Sequence, residues 1–212
     1  MNTSRLLAAA LCGSALLTGC ATTNLDNSAG RKTVYQDVAT RSDKVAGVGI
    51  ESQDVVSMTD TMIRDILSTP QIARRATPPR IIIDSAYFTN DSSSRINKNS
   101  ITDRLRVELN RASQGRLIFV ARHYGNMVEN EREAKRSGQA DAGTIRATKA
   151  QAGGDFRLGG RITSLDAASK TTGDVSRYHQ ITFELIDLEY GTIVWSGLHE
   201  FKKEARDDIL YR

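Results

Sequence analysis

The chain has 212 residues, 39% of them apolar and 25% charged, with 29 Lys+Arg against 25 Asp+Glu for a formal net charge of +4. This balance excludes a disordered, collagenous or polytopic membrane protein and fits one domain of roughly 100–200 residues. The basic residues are scattered, without a dense block or aromatic interleaving, so no nucleic acid is expected as a partner.

Residues 1–5 form a short n-region ending in Arg5, and residues 6–17 (LLAAALCGSALL) form an apolar run. A helix that crosses a bilayer needs about 20 apolar residues, so this shorter run predicts a signal-peptide h-region. It leads into Leu17-Thr18-Gly19-Cys20, which resembles the bacterial lipobox. Small Thr18 and Gly19 suit a narrow peptidase cleft, and the Cys20 thiolate is the nucleophile that takes a diacylglycerol thioether. Residues 1–19 are therefore read as a lipoprotein signal peptide, and Cys20 as the lipidated first residue of the mature chain. Ala21 stands where an Asp would mark inner-membrane retention in a Gram-negative cell, which implies the outer membrane and its periplasmic face. The cysteines number 2, Cys12 and Cys20. With one removed and the other acylated, the mature domain has no disulfide, thiol catalyst or thiolate metal site.

Residues 20–52 are polar, small and aperiodic, and read as a flexible tether with a ceiling on the order of 110 Å when fully stretched. Val45, Val48 and Ile50 are its positions able to dock on the domain, which is placed at residues 53–212. Apolar residues at three-to-four spacing predict a first helix over residues 54–67, with Pro70 just past its end. The β-branched run at residues 80–84 predicts a buried strand, and the polar stretch 89–99 a loop. A second helix is expected over residues 100–112, with Ile101, Leu105 and Leu109 on one face, and a strand at 117–121. Charged helical segments follow near residues 126–136 and 141–152.

From Asp155 onward the pattern alternates. Phe156, Leu158 and Ile162 share one strand face, with Gly159 and Gly160 read as an interruption or bulge. After a loop at residues 167–176, Ile181, Phe183 and Leu185 alternate with polar neighbours. A tight turn containing Gly191 leads to Ile193, Val194 and Trp195, a β-hairpin. The sum is an α+β fold with a four- to five-stranded sheet, a C-terminal antiparallel hairpin and about four flanking helices. Trp195 is assigned to the core.

No catalytic constellation emerges. His123, His179 and His199 form no two-histidine helix motif and are assigned to the surface or to strand edges, with no metal expected. The glycine pairs at 153–154 and 159–160 lack a phosphate-loop lysine, and no Gly-x-Ser-x-Gly elbow exists. Asp84, Asp187 and Glu189 fit strand ends and turns. Arg157, Arg161 and Arg177 are the candidate partner-binding residues, as a basic strip on the sheet. No cofactor is expected and no enzymatic activity; the chain reads as a binding module.

The run ITFELIDLEYGTIVWS (residues 181–196) looks like the final hairpin of the LpoB family, and Lys202-Lys203-Glu204-Ala205 extends the match. Leu158-Gly159-Gly160-Arg161-Ile162, Pro78-Pro79-Arg80-Ile81-Ile82, Ile101-Thr102-Asp103-Arg104-Leu105 and the lipobox agree as well. The resemblance, which also touches TolB-like N-terminal domains, implies an outer-membrane lipoprotein. Such a protein activates a bifunctional class A penicillin-binding protein by docking, as a monomer, on its small regulatory domain. One departure stands out: the family's long proline-rich tether is replaced here by shorter, proline-free residues 21–52. The alternative is a structural or secretion-associated lipoprotein of the CsgG/TolB-like type. It would need membrane-forming hairpins, and the polar segments 89–99 and 167–176 lack the required alternation.

Overall fold

Helix α1 (Ser52–Ser68) starts at a reciprocal cap: the Glu51 N–H donates to the Asp54 carboxylate at 2.8 Å, while the Glu51 side chain accepts from the helix backbone. Met58, Met62, Ile63 and Ile66 then form its buried stripe. Pro70 does not merely end it; at the N1 position it starts a further turn, α2 (Pro70–Ala73). These elements belong to a computed structural model that describes residues 33–41, 47–145 and 150–206. The chain divides into units Met1–Tyr35 and Gln36–Arg212, and the second contains every described helix and strand. The signal peptide, lipobox, Cys20 and Val45 lie outside the described residues, and no described helix is long and apolar enough to cross a membrane.

Strand β1 (Arg80–Ile82), strand β2 (Phe88–Asp91), helix α3 (Lys98–Ser113), strand β3 (Ile118–Phe119) and helix α4 (Gly125–Arg136) follow. Three long strands complete the chain: β4 (Phe156–Ala168), β5 (Asp174–Asp187) and β6 (Ile193–Arg206). The sheet has 6 strands in the order β3-β1-β4-β5-β6, with β2 also paired to β4. β4, β5 and β6 form an antiparallel meander, whereas β1 and β2 lie one after the other along the free edge of β4, both parallel to it. The α+β class holds, and β2 adds a strand that the sequence does not announce.

Four local expectations change. The stretch 89–99 is not all loop, because Phe88 is buried and stacks on Phe183 with ring centroids 5.1 Å apart, which brings Phe88–Asp91 into register with Gly160–Thr163. The expected helix at 141–152 is, among the described residues, only a 3-10 turn at Ala142–Thr144, capped by Asp141 through the Gly143 N–H. The loop at 167–176 shrinks, since the β4–β5 ladder runs to Ala168↔Val175 and turns at Gly173, whose φ is +74°. Lastly, Gly159 and Gly160 leave the β4–β5 register unbroken; the irregularity lies instead between Leu185 and Ile186.

The glycines have a packing reason. Gly160, Phe183 and Gly197 form one cross-strand row. A Cβ on Gly160 would fall 2.5 Å from the Phe88 ring and 2.6 Å from the Thr182 carbonyl oxygen. On Gly197 it would strike the Met62 sulfur and the Trp195 indole. Small residues flanking a large one let the aromatic rings close over the strand. The core lies between this face of the sheet and the stripes of α1 and α3: Met58, Met62, Ile66, Ile101, Leu105 and Leu109 against Phe156, Leu158, Ile162, Ile181, Phe183, Leu185 and Trp195.

Candidate partner-binding surface

Strand alternation settles where the three candidate arginines lie. Arg157 and Arg161 project from β4 on the side opposite Phe156, Leu158 and Ile162, whereas Arg177 of β5 shares the side of Ile181 and Phe183. They do not form one strip. The Arg157 guanidinium meets both Asp84 carboxylate oxygens at 2.9 Å and lies over the Tyr87 ring, 4.4 Å from its centroid. Arg177 reaches Asp166 at 2.6 and 3.3 Å and the Ser94 hydroxyl at 3.1 Å, tying the loop after β2 to the sheet. Arg161 pairs with Asp91 at 3.1 Å, yet its side chain stays 65% exposed. Of the three, Arg161 alone offers a largely solvated guanidinium.

Around Arg161, the face turned away from the core carries large apolar side chains in the open. Leu165 is 72% and Leu198 52% exposed, and Leu198 and Arg161 both lie opposite Thr182. Two rows on, Leu165 faces Tyr178, whose hydroxyl donates to Glu200 at 2.9 Å. Exposed apolar groups interspersed with charges on a sheet face are what a protein-contact surface needs. A further apolar group, Met127 and Val128 of α4 with Ile145, lines a shallow groove.

The remaining candidates have structural duties. Asp84 serves Arg157 and caps the turn at Ser85–Tyr87, and the Asp187 carboxylate accepts from the Glu189 and Tyr190 N–H groups in the last hairpin turn. Glu189 is exposed in that same turn. Trp195 is buried. His179 departs from the surface or strand-edge role assigned to it, for it is 0% exposed. Its Nε2 donates to the Val48 carbonyl at 2.6 Å, and its ring stacks on Phe201. Val48 itself is buried, so the packed body begins near residue 47, before the tether boundary read at residue 52. Among the described residues, no three His, Cys, Asp or Glu side chains are grouped to hold a metal ion.

A family described as peptidoglycan-synthase activator LpoB matches residues 54–201. The chain belongs to this family, and its class is thereby that of the peptidoglycan-synthase activators. Among solved structures, the LpoB C-terminal domain from Salmonella enterica is similar at 17% identity and TM-score 0.40, covering 70% of this chain and 98% of that one. The Escherichia coli LpoB C-terminal domain gives 15% identity and TM-score 0.40 with the same coverage of 70% and 98%. Lipoprotein GNA1162 from Neisseria meningitidis gives 15% identity and TM-score 0.32, covering 62% and 88%. No curated protein matches. The family match does not favour the CsgG/TolB-like alternative.

Proposed function

We propose that this chain is a lipoprotein of the outer membrane, facing the periplasm, that binds and activates a bifunctional class A penicillin-binding protein. The family match over residues 54–201 carries this reading. Cys20 takes the lipid after cleavage behind Leu17, Thr18 and Gly19, and residues up to 46 act as the tether, with an extended reach on the order of 90 Å. The domain, as a monomer, docks on the synthase's small regulatory domain with the sheet face of Arg161, Leu165 and Leu198, while Arg157 and Arg177 hold the framework of that face. Activation follows if the domain binds the active form of the synthase more tightly than the resting form, which shifts the population toward the former. No chemistry by the chain itself is required.

The test adds the purified protein to class A synthases of its host and measures glycan polymerisation and cross-linking. Both rates rise for one of them. If every class A synthase is unchanged, the activator reading is lost. The anchor is tested separately by intact mass of membrane-extracted protein: mature Cys20 carries acyl chains, and an unacylated mature mass refutes the anchor.

A further inference from the structure

Residues 47–51 lie across the β5–β6 pair and are held by a small set of polar contacts around one apolar plug. Val48 is fully buried, and its carbonyl accepts from His179 Nε2 at 2.6 Å. Lys203 Nζ donates to the Gly49 carbonyl at 3.0 Å and lies 2.5 Å from Asp54 and 3.4 Å from Glu51. The Glu51 carboxylate turns back to accept from the Gly47 N–H at 3.0 Å. The acidic pair that caps α1 therefore also fastens the segment in front of it.

His179 is the weak point of this arrangement. With Nε2 donating to Val48, the lone pair of the neutral ring lies on Nδ1, and among the described residues no donor reaches that atom. A proton placed there creates an imidazolium with one N–H unsatisfied, sealed from water by Val48. Facing it are Lys203 and His199 from β6, Arg177 from β5, Asp166 from β4 and, from the start of α1, Asp54 with Glu51 beyond Lys203. Each of those carboxylates is already engaged by a cation or a hydrogen bond: Asp166 by Arg177, Asp54 and Glu51 by Lys203. Burial first, then Arg177 and Lys203, hold the imidazole below its ordinary value of 6.5, against the opposing pull of the Val48 carbonyl and Asp54.

We propose that residues 47–51 are an acid-released strap: protonation of His179 is relieved by lifting Val48 from the sheet, which admits water to the ring and converts the strap from domain into tether. Between the ionisation ranges of the sealed and the opened ring, opening increases about tenfold per pH unit of acidification. The strap is a property of the domain alone. Its consequence for reach rests on the tether reading, since five freed residues add roughly 17 Å of extended chain.

Amide hydrogen exchange on the full-length protein in detergent micelles, at about pH 7.5 and about pH 5 and corrected for intrinsic exchange, tests this alongside NMR titration of the histidine rings. At the lower pH, amides of residues 48–55 lose protection about tenfold or more relative to those of residues 181–185, over the range in which the His179 ring titrates. His179→Gln keeps a donor for the Val48 carbonyl but cannot titrate, so its strap stays protected at both pH values. Lys203→Met removes the ionic fastening and opens the strap at both, which supplies a second reading if the glutamine variant does not fold. A His179 ring that titrates while residues 48–55 stay protected overturns the proposal, as does acid release that persists in His179→Gln. Synthase activation is not part of this readout, so a failed activation assay with an intact acid response rejects only the functional reading.

Discussion

The Trp195 indole donates its N–H to the Asp65 carboxylate at 2.8 Å, pinning the outer strand β6 to the last turn of α1. The ring itself fills the corner between Met62 and Gly197. Trp195→Ala removes both, at a cost of about 3–5 kcal/mol. Asp65→Ala leaves the indole N–H unpaired and costs about 1–2 kcal/mol. Urea denaturation of the two variants checks the order; a Trp195→Ala loss below that of Asp65→Ala contradicts the packing described.

Gly160→Ala is destabilising by about 1–3 kcal/mol, because the added methyl meets the Phe88 ring and the backbone of Thr182, neither of which can swing away. Gly153→Ala, where nothing lies within 4 Å, is close to neutral. Melting temperatures of the pair give the comparison, and equal values refute the close approach.

Acid weakens the fold in two stages. Burial keeps His179 and His199 below their ordinary value of 6.5, so the unfolded chain takes up protons that the folded one refuses. Their contribution is complete above about pH 6.5 and declines below it. For Glu51, burial alone would raise the carboxyl, but Gln53, the Gly47 N–H and Lys203 together hold it below 4.5. Burial would raise Asp166 too, but Arg177 and Ser93 together hold it below 3.8. What these two add is present above their unfolded values and is lost as pH falls through the folded ones. Urea midpoints from about pH 8 to about pH 3 should therefore fall first below neutrality and again in the carboxylate range, and a flat profile between about pH 7 and about pH 5 contradicts the histidine part.

Arg157 and Arg161 are neighbours on one sheet face with different fates. Arg157→Lys keeps a charge for Asp84 but loses the planar guanidinium that lies over Tyr87, and it lowers stability by about 1–2 kcal/mol. Arg161→Ala breaks an exposed pair and changes stability by about 0.5 kcal/mol or less. Chemical unfolding of both variants measures the difference.

If the exposed face docks the synthase, Leu165→Glu with Leu198→Glu lowers affinity by about tenfold or more while leaving the melting temperature in place. Binding of a class A synthase by the double variant at unchanged affinity moves the contact elsewhere, and the apolar side of α4 is then the next surface to vary.

The meander was legible because Phe156, Leu158 and Ile162 of β4 and Ile181, Phe183 and Leu185 of β5 keep a period of two, and α1 and α3 were legible from their single apolar stripes. β2 was not: Phe88 is its one large apolar residue, and its partner strand is about 70 positions away in the chain. In the expected helix at 141–152, the described residues 141–145 and 150–152 carry no apolar stripe, and local propensity alone does not hold a helix. His179 looked like a polar residue between Tyr178 and Gln180, although it keeps the same parity as Ile181, Phe183 and Leu185. That parity was the available signal for its burial, and for placing Arg177 on the opposite side from Arg157. The carboxylate partners of the arginines had no sequence signal, since Asp84 and Asp166 meet them only through sheet register.

Strand β4 receives β1 and β2 along one edge, and Arg80 is already bound there to Asp155, 75 residues later in the chain. Until residue 156 and its successors exist, the apolar stripes of α1 and α3 have no sheet to cover, and β1 and β2 have no ladder to join. Contacts of such long sequence separation form slowly, after a large loss of chain freedom. A polypeptide that travels N-terminus first therefore remains without its organising strand for most of its passage. Topology thus delays collapse around the sheet, which would suit a chain exported unfolded, as the proposed lipoprotein would be.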